Sequence, residues 1–176
     1  TSAGFFWCLC KVLESGKGGW WIAAGAAAGL GLLSKFSALF LGAGTLFWLL
    51  ADARQRRWLL TPWPWAGAAL AVAVFAPNLW WQAQNQWQTF AFQFARVDRG
   101  HFTLRYLGEF VAAQAGLATP LIFLLMLAGL WAGRKRGTPL FMPAVLVATP
   151  FAYFLVHALH ARVQGNWPCF VYPMLS

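Results

Sequence analysis

Residues 19–50 form a long, almost uncharged stretch, GWWIAAGAAAGLGLLSKFSALFLGAGTLFWLL. Lys35 is its only charged residue, and an apolar run rich in Gly and Ala lies on each side. A cation at the centre of a bilayer costs about 3 kcal/mol on insertion scales, so an intramembrane lysine is a candidate site residue. The alternative is that Lys35 lies at a membrane surface, between two helices.

The composition of the whole chain indicates a membrane protein. Of the 176 residues, 60% are hydrophobic and 10% are charged, whereas soluble domains average about 25% charged residues. Residues 58–95, 110–133 and 137–161 contain no Asp, Glu, Lys or Arg. Each of these stretches is long enough for a span of about 20 residues. We therefore predict an all-α, polytopic transmembrane bundle with about six to seven hydrophobic segments.

The basic residues fall into two groups that differ in their spacing. Short clusters separate the apolar runs, and the positive-inside rule places them in the cytoplasm. The members of these clusters are Lys11, Lys17, Arg54, Arg56, Arg57, Arg134, Lys135 and Arg136. The others are scattered singly and are predicted to be external: Lys35, Arg96, Arg99, Arg105 and Arg162. The net charge of +9 is therefore interpreted as membrane topology, and no nucleic-acid partner is expected.

The predicted segments alternate in direction between these loops. They cover residues 2–13, 19–33, 37–51, 62–81, 120–132, 139–157 and 170 onward, and a further helix is predicted over 104–117. A polar external stretch is predicted over 82–104, and a second external loop over 160–168. Pro77 predicts a kink or an early end of the fourth segment. Gly25 and Gly29, four residues apart, predict a close helix–helix contact.

The segments on either side of Lys35 are unusually short. At 1.5 Å per residue, residues 19–33 and 37–51 each reach only about 22 Å, which is less than the ~30 Å hydrocarbon core. We therefore expect the two helices to meet at Lys35 near the outer surface. There, Lys35 and arginines on neighbouring external loops would suit an anion with an apolar tail, such as a lipid phosphate. The short Gly-rich helices would leave a groove for the tail.

Other external residues have simple structural interpretations beside functional ones. Arg105 and Glu109 are spaced as an i, i+4 ion pair. His157 and His160 could share a helix face, although two histidines alone make a weak metal site. Trp167 could stack on a sugar or anchor the chain at the interface. Asp98 is a poor metal site alone, so a divalent metal is conceivable but unsupported, and no cofactor is predicted.

Three segments resemble the bacterial family 39 glycosyltransferases, the group similar to dolichyl-phosphate-mannose-protein mannosyltransferases. The first is GWWIAAGAAAGLGLLSKFSALFL, which resembles the family's segment around "LsK". The second, PNLWWQAQNQWQTFAFQFARV, is similar to a segment in which "WN" is usual, although Trp-Trp-Gln stands here at 80–82. The third, VQGNWPCFVYPML, resembles the family's "gNWp" loop and helix start.

The resemblance implies a GT-C type glycosyltransferase of the bacterial inner membrane. Such an enzyme moves a sugar from a polyprenyl-phosphate carrier to an acceptor (lipid, glycan or protein) on the external, periplasmic side. It also implies that Lys35 contacts the carrier phosphate. Arg96 and Arg162 match positive positions near the external cavity, and Asn166 and Trp167 belong to the loop motif. The family's catalytic carboxylate lies in an earlier external loop, so no catalytic residue is assigned to Asp98 or Glu109.

The chain begins TSAG and ends PMLS within an apolar stretch. We therefore interpret residues 1–176 as a fragment of a transmembrane glycosyltransferase domain that supplies the leaving-group side and is inactive alone. Two alternatives remain open. Short, broken helices around a polar residue also suit a secondary transporter or a lipid flippase, and a non-catalytic membrane subunit is the third possibility. The sequence does not name the sugar, the acceptor, the carrier length or the oligomeric state.

Overall fold

A computed structural model describes residues 1–95 and 102–174, and this part of the chain is helical throughout its regular structure. The α-helices are α1 (Ser2–Ser15), α2 (Gly19–Ser34), α3 (Leu39–Ala51), α4 (Pro62–Gln84), α5 (Gln88–Ala95), α6 (Arg105–Ala118), α7 (Pro120–Ala132) and α8 (Phe141–His157). Short 3-10 helices cover Phe36–Ala38, Arg56–Leu60 and Trp167–Met174. The all-α prediction is confirmed.

The first four helices alternate in direction, as predicted. Helix α1 is antiparallel to α2, since Trp7 packs on Trp20 with ring centroids 5.1 Å apart. Helices α2 and α4 are parallel neighbours. Helix α3, which connects them in sequence, runs in the opposite direction. Helix α3 instead packs along α8, where Phe40 meets Phe154 at 5.5 Å between ring centroids.

Glycines allow α2 and α4 to touch through their backbones. A Cβ added to Gly25 would overlap the carbonyl group of Gly67, and one added to Gly67 would overlap the carbonyl oxygen of Trp21. A Cβ on Gly29 would lie 2.7 Å from that of Val74. The close helix contact predicted from Gly25 and Gly29 is confirmed, because only residues without a side chain permit this spacing.

The clustered basic residues lie at one end of the bundle. Lys17 lies in the turn between antiparallel α1 and α2, and Arg54 follows α3. The Arg134–Arg136 cluster is close to Arg54, because a Cβ added to the next residue, Gly137, would lie 3.8 Å from the Arg54 guanidinium. Two of these arginines also bind the last carbonyls of helices, which carry partial negative charge. Arg56 donates to Leu50 O at 2.6 Å, and Arg134 donates to Trp131 O at 2.6 Å.

Three boundaries differ from the sequence predictions. Helix α4 continues through Pro77 to Gln84, because burial of Phe75 and Gln82 on both sides of the proline offsets the hydrogen bond that its ring removes. The stretch predicted as polar loop contains α5. The last predicted span begins instead as a 3-10 helix, Trp167–Met174.

The helices are short for a membrane bundle. Within the described ranges, no one helix combines the length and the apolar character needed to cross a bilayer. Helices α6 and α7 taken together are long and apolar enough to cross a bilayer, but the chain bends by 107° between them. The bend follows from Thr119, whose φ of 61° is outside the helical region, and from Pro120, which disfavours helical geometry in the residue before it.

Buried apolar residues form two clusters of different size. The larger one joins α1, α2, α3, α8 and the last 3-10 helix, with Leu9, Trp48 and Leu146 at its centre. The smaller one joins α6 to the end of α8 and consists of Phe110, Phe154, Ala158 and Val163. The polar ends of the elements around this smaller cluster form the cleft described below.

Candidate functional site

Lys35 occupies the break between α2 and the following 3-10 helix. Its backbone is extended (φ −160°, ψ 128°). Its N–H donates to Gly31 O at 2.8 Å, and its carbonyl accepts from Ala38 N at 3.0 Å. The backbone of Lys35 therefore caps α2, while its side chain is exposed. Within the described residues, its amino group makes no hydrogen bond or ion pair.

An apolar groove of 340 Å³ lies between α3 and the α2–α4 pair. Its walls include Leu32, Ala38 and Leu39, which flank Lys35 in the chain. The far end reaches Leu49 and Trp65, toward the basic end of the bundle. The groove exists because α3 packs on α8 and leaves the Gly- and Ala-rich faces of α2 and α4 uncovered. A groove is thus present between the short helices, and Lys35 itself is not one of the residues that line it.

A second, polar cleft of 560 Å³ lies at the same end as Lys35. It is enclosed by α6, the end of α8 and residues 158–167. The residues that line it are Glu109, Ala113, His157, Ala161, Arg162, Val163, Gln164, Gly165 and Trp167. The 3-10 helix that starts at Trp167 packs against Phe36–Ala38, so the segment after Lys35 is a neighbour of this cleft.

One carboxylate in the cleft is shared by two arginines. Arg105 Nε lies 2.9 Å from Glu109 Oε1, and Arg162 Nε lies 3.0 Å from Glu109 Oε2. The hydrogen bond from Arg105, together with the positive charges of Arg162 and Arg105, lowers the pKa of Glu109 below its ordinary value, although partial desolvation opposes this. A carboxylate held ionised in this way is a poor general base at neutral pH. The predicted i, i+4 ion pair is confirmed, and Arg162 extends it.

Gln114 ties α6 to the loop that carries Arg162. Its side chain is 2% exposed; Nε2 donates to Gly165 O at 2.8 Å, and Oε1 accepts from Tyr172 OH at 2.6 Å. Gly165 permits the contact, because an added Cβ would lie 2.9 Å from that of Ala113. Trp167 Nε1 donates to Gln164 Oε1 at 3.2 Å. The amide of Gln114 therefore holds both the loop, at Gly165, and the 3-10 helix that follows it, at Tyr172.

Gln82, at the position where the family resemblance breaks down, is almost fully buried. Its side chain is 1% exposed, and its Oε1 has no hydrogen-bond partner among the described residues. Asn78 Oδ1, one turn earlier on α4, is also buried without a partner there. Both amides point to a polar interior at the end of α4, but no role follows from this alone.

The structure brings some of the predicted site residues together. Arg162 and Trp167 line the polar cleft, Asn166 is exposed beside it, and Lys35 lies on the neighbouring segment. Arg96 lies outside the described residues, as do Asp98, Arg99 and His101. Within the described ranges, no three His, Cys, Asp or Glu side chains converge on a metal position. Sequence reasoning missed Gln114 and Tyr172, which carry no charge and match no motif.

Comparison with known proteins finds two sequence matches, both to glycosyltransferases. Residues 1–81 match the model of the dolichyl-phosphate-mannose-protein mannosyltransferase family. The resemblance to that family is confirmed. This chain is also 32% identical, over 161 residues or 84% of its length, to the lipid A galacturonosyltransferase RgtD of Rhizobium johnstonii. The chain spans 32% of that relative's length. No solved structure matches the chain.

Proposed function

We propose that this chain is part of an integral-membrane glycosyltransferase that uses a polyprenyl-phosphate-linked sugar. The family match and the relative, which is named as a glycosyltransferase acting on a lipid, support this reaction class. The observation that carries the proposal is the apolar groove whose wall residues Leu32, Ala38 and Leu39 flank the exposed Lys35. A lipid phosphate has an apolar chain for the groove and a negative head for the lysine.

The arrangement of charges supports an orientation in the inner membrane. The clustered arginines and lysines at one end would lie in the cytoplasm. Lys35 and the polar cleft would then face the periplasm. The residues that we propose to bind substrate remain Lys35, Arg96, Arg162, Asn166 and Trp167. Helix α6 has buried Phe110 and Gln114 opposite exposed Arg105, so we place it along the external surface and not across the bilayer. The bend at Thr119 then directs α7 inward.

The chemistry assigns Lys35 to the leaving group. In glycosyl transfer from a phosphate carrier, negative charge develops on the phosphate oxygen as the bond to the sugar breaks. A fixed cation near that oxygen stabilises the transition state. The base that activates the acceptor acts on the opposite face of the sugar, and Glu109, ionised by two arginines, is not assigned to that role. The acceptor and the fragment boundaries remain predictions.

The decisive experiment measures sugar transfer by the full-length protein after Lys35→Ala. We expect about a 100-fold loss of turnover, which is the usual effect of removing one transition-state donor. Lys17→Ala is the matched control, because Lys17 is also exposed but lies at the opposite end. Normal turnover in Lys35→Ala would exclude the phosphate role. Uptake of a solute into proteoliposomes without sugar transfer would favour the transporter alternative.

A second experiment tests the groove separately from the charge. Gly42 lines the groove, and a Cβ added to it meets no atom within 4 Å. Gly42→Leu should therefore place its side chain in the groove, on the side of α3 away from the contact of Gly44 with Leu146. We expect the KM for long-chain carriers to rise while that for a short-chain carrier stays constant. Equal effects on both carriers would show that the chain binds elsewhere.

A further inference from the structure

The polar cleft beside α6 has the size and the chemistry of a sugar site. Its volume of 560 Å³ lies within the range of small-molecule pockets. Its walls combine an indole, an imidazole, an amide and ionised groups, from Trp167, His157, Gln164, Glu109 and Arg162. We propose that this cleft binds an acidic pyranose, a sugar ring that carries one carboxylate.

The balance of charges in the cleft favours a ligand with one negative charge. Two guanidinium groups face a single carboxylate, so the cluster of Arg105, Glu109 and Arg162 has a net charge of +1. A sugar carboxylate neutralises this excess. A phosphate monoester would place up to two negative charges beside Glu109, which repels them. The cluster therefore favours an anion with one charge over a phosphate monoester.

The two arginines keep hydrogen-bond donors for such a ligand. Arg105 donates its Nε–H to Glu109, and Arg162 forms an ion pair with it through Nε. Within the described residues the terminal nitrogens of both arginines make no hydrogen bond. Their side chains are 79% and 76% exposed. Arg162 lines the cleft, where a ligand can reach it, and Arg105 lies on the other side of Glu109. Planar guanidinium groups bind carboxylates through pairs of parallel hydrogen bonds. Ion pairs this exposed contribute little to folding, so stability does not account for the cluster.

The cleft is formed before any ligand binds. Glu109 forms an ion pair with Arg162, and Gln114 holds the backbone of Gly165. Trp167 is held by its hydrogen bond to Gln164 and by contact with His157, 6.2 Å between ring centroids. Preorganised donors lose less entropy on binding than mobile ones. Gln114 is accordingly a positioning residue for this site.

The proposal rests on the proposed glycosyl transfer for its setting, but its test measures binding alone. The full chain, purified in detergent micelles, is titrated with galacturonate and glucuronate and with their neutral counterparts galactose and glucose. Ligand-observed NMR reports the affinities. We expect the acids to bind at least about tenfold more tightly, the effect of one charged hydrogen-bonded pair. Equal affinities for acidic and neutral sugars would overturn the proposal, as would tighter binding of glycerol phosphate.

Variants assign the effect to the arginines. Arg162→Gln should lose the preference for acids and keep the weak binding of neutral sugars, whereas Arg136→Gln, at the opposite end, should keep both. The melting temperature of Arg162→Gln should equal that of the parent, since the side chain is exposed; if the variant does not fold, Arg105→Gln takes its place. An unchanged preference in the variant that folds contradicts the proposal.

The same titration separates this inference from the proposed function. Lys35→Ala should lose sugar transfer but keep the binding of galacturonate, because Lys35 is not part of the cleft lining. If Lys35→Ala stays active while the acid preference persists, the phosphate role fails and the cleft assignment stands. If transfer is lost but the acids show no preference, the cleft assignment fails alone.

Discussion

The α2–α4 contact and the contact of α6 with the 158–167 segment hold the same protein together in different ways. In the first, two helices meet backbone to backbone at Gly25 and Gly67, and polar side chains play no part. In the second, a small apolar cluster is supplemented by Gln114 and Glu109, which reach across to Gly165 and Arg162.

The two kinds of contact leave different surfaces for a ligand. A contact made of glycines allows almost no substitution, but it leaves a smooth apolar surface on which a lipid chain can lie. A contact made of polar side chains leaves charged groups at its edge, where they can also bind a ligand. The two candidate sites, the groove and the cleft, are by-products of these two modes of packing.

The strongest test of the glycine contact is Gly25→Ala. The new methyl group would overlap the Gly67 carbonyl, and because both sides are backbone, neither can rotate away. We expect destabilisation at or above the upper end of the ~1–3 kcal/mol typical of overpacking, measured by thermal unfolding in micelles. Gly129→Ala is the control: its Cβ meets nothing within 4 Å, and it should be neutral or stabilising by up to ~1 kcal/mol.

An intermediate effect is expected from Gln114→Leu on the cleft side. The change leaves Gly165 O and Tyr172 OH without their partner, and unsatisfied buried polar groups cost about 1–3 kcal/mol. Tyr172→Phe removes only one of the two bonds and should cost about 1 kcal/mol. The double variant should cost less than the sum of the single changes. Strict additivity in denaturant unfolding would show that the two bonds do not act through Gln114.

The smallest effect is the pH dependence of the Glu109 cluster. Because the arginines lower the folded-state pKa of Glu109, the ion pairs stabilise the fold above the unfolded-state pKa and are lost as pH falls through the lowered folded-state value. A carboxyl NMR titration should give a pKa below the ordinary 4.5. Arg105→Gln should raise this pKa, and 1 M salt should weaken the effect of both arginines. A normal pKa in the parent chain would indicate that the cluster is not formed in solution.

Much of the helical arrangement could be predicted from the sequence because it depends on local patterns. Apolar runs separated by basic clusters predicted α7 at its observed bounds, 120–132, and the other long helices to within a few residues, but α5 was not predicted. The placement of the basic clusters at one end followed from the same alternation. Pro77 was misleading, since the sequence shows the missing N–H but not the burial of Phe75 and Gln82 that outweighs it.

The all-helical class, the resemblance to the mannosyltransferase family, the break at Lys35 and the Arg105–Glu109 pair could be read from the sequence alone, since each depends on residues close together in the chain. Three features became visible in the folded chain alone. Helix α3 packs on α8 and so opens the groove, Arg162 forms an ion pair with Glu109, and Gln114 makes hydrogen bonds with Gly165 and Tyr172. These contacts join residues that lie 51 and 58 positions apart in the case of Gln114. Side-chain contacts over such distances depend on how the helices pack, and no local pattern encodes them.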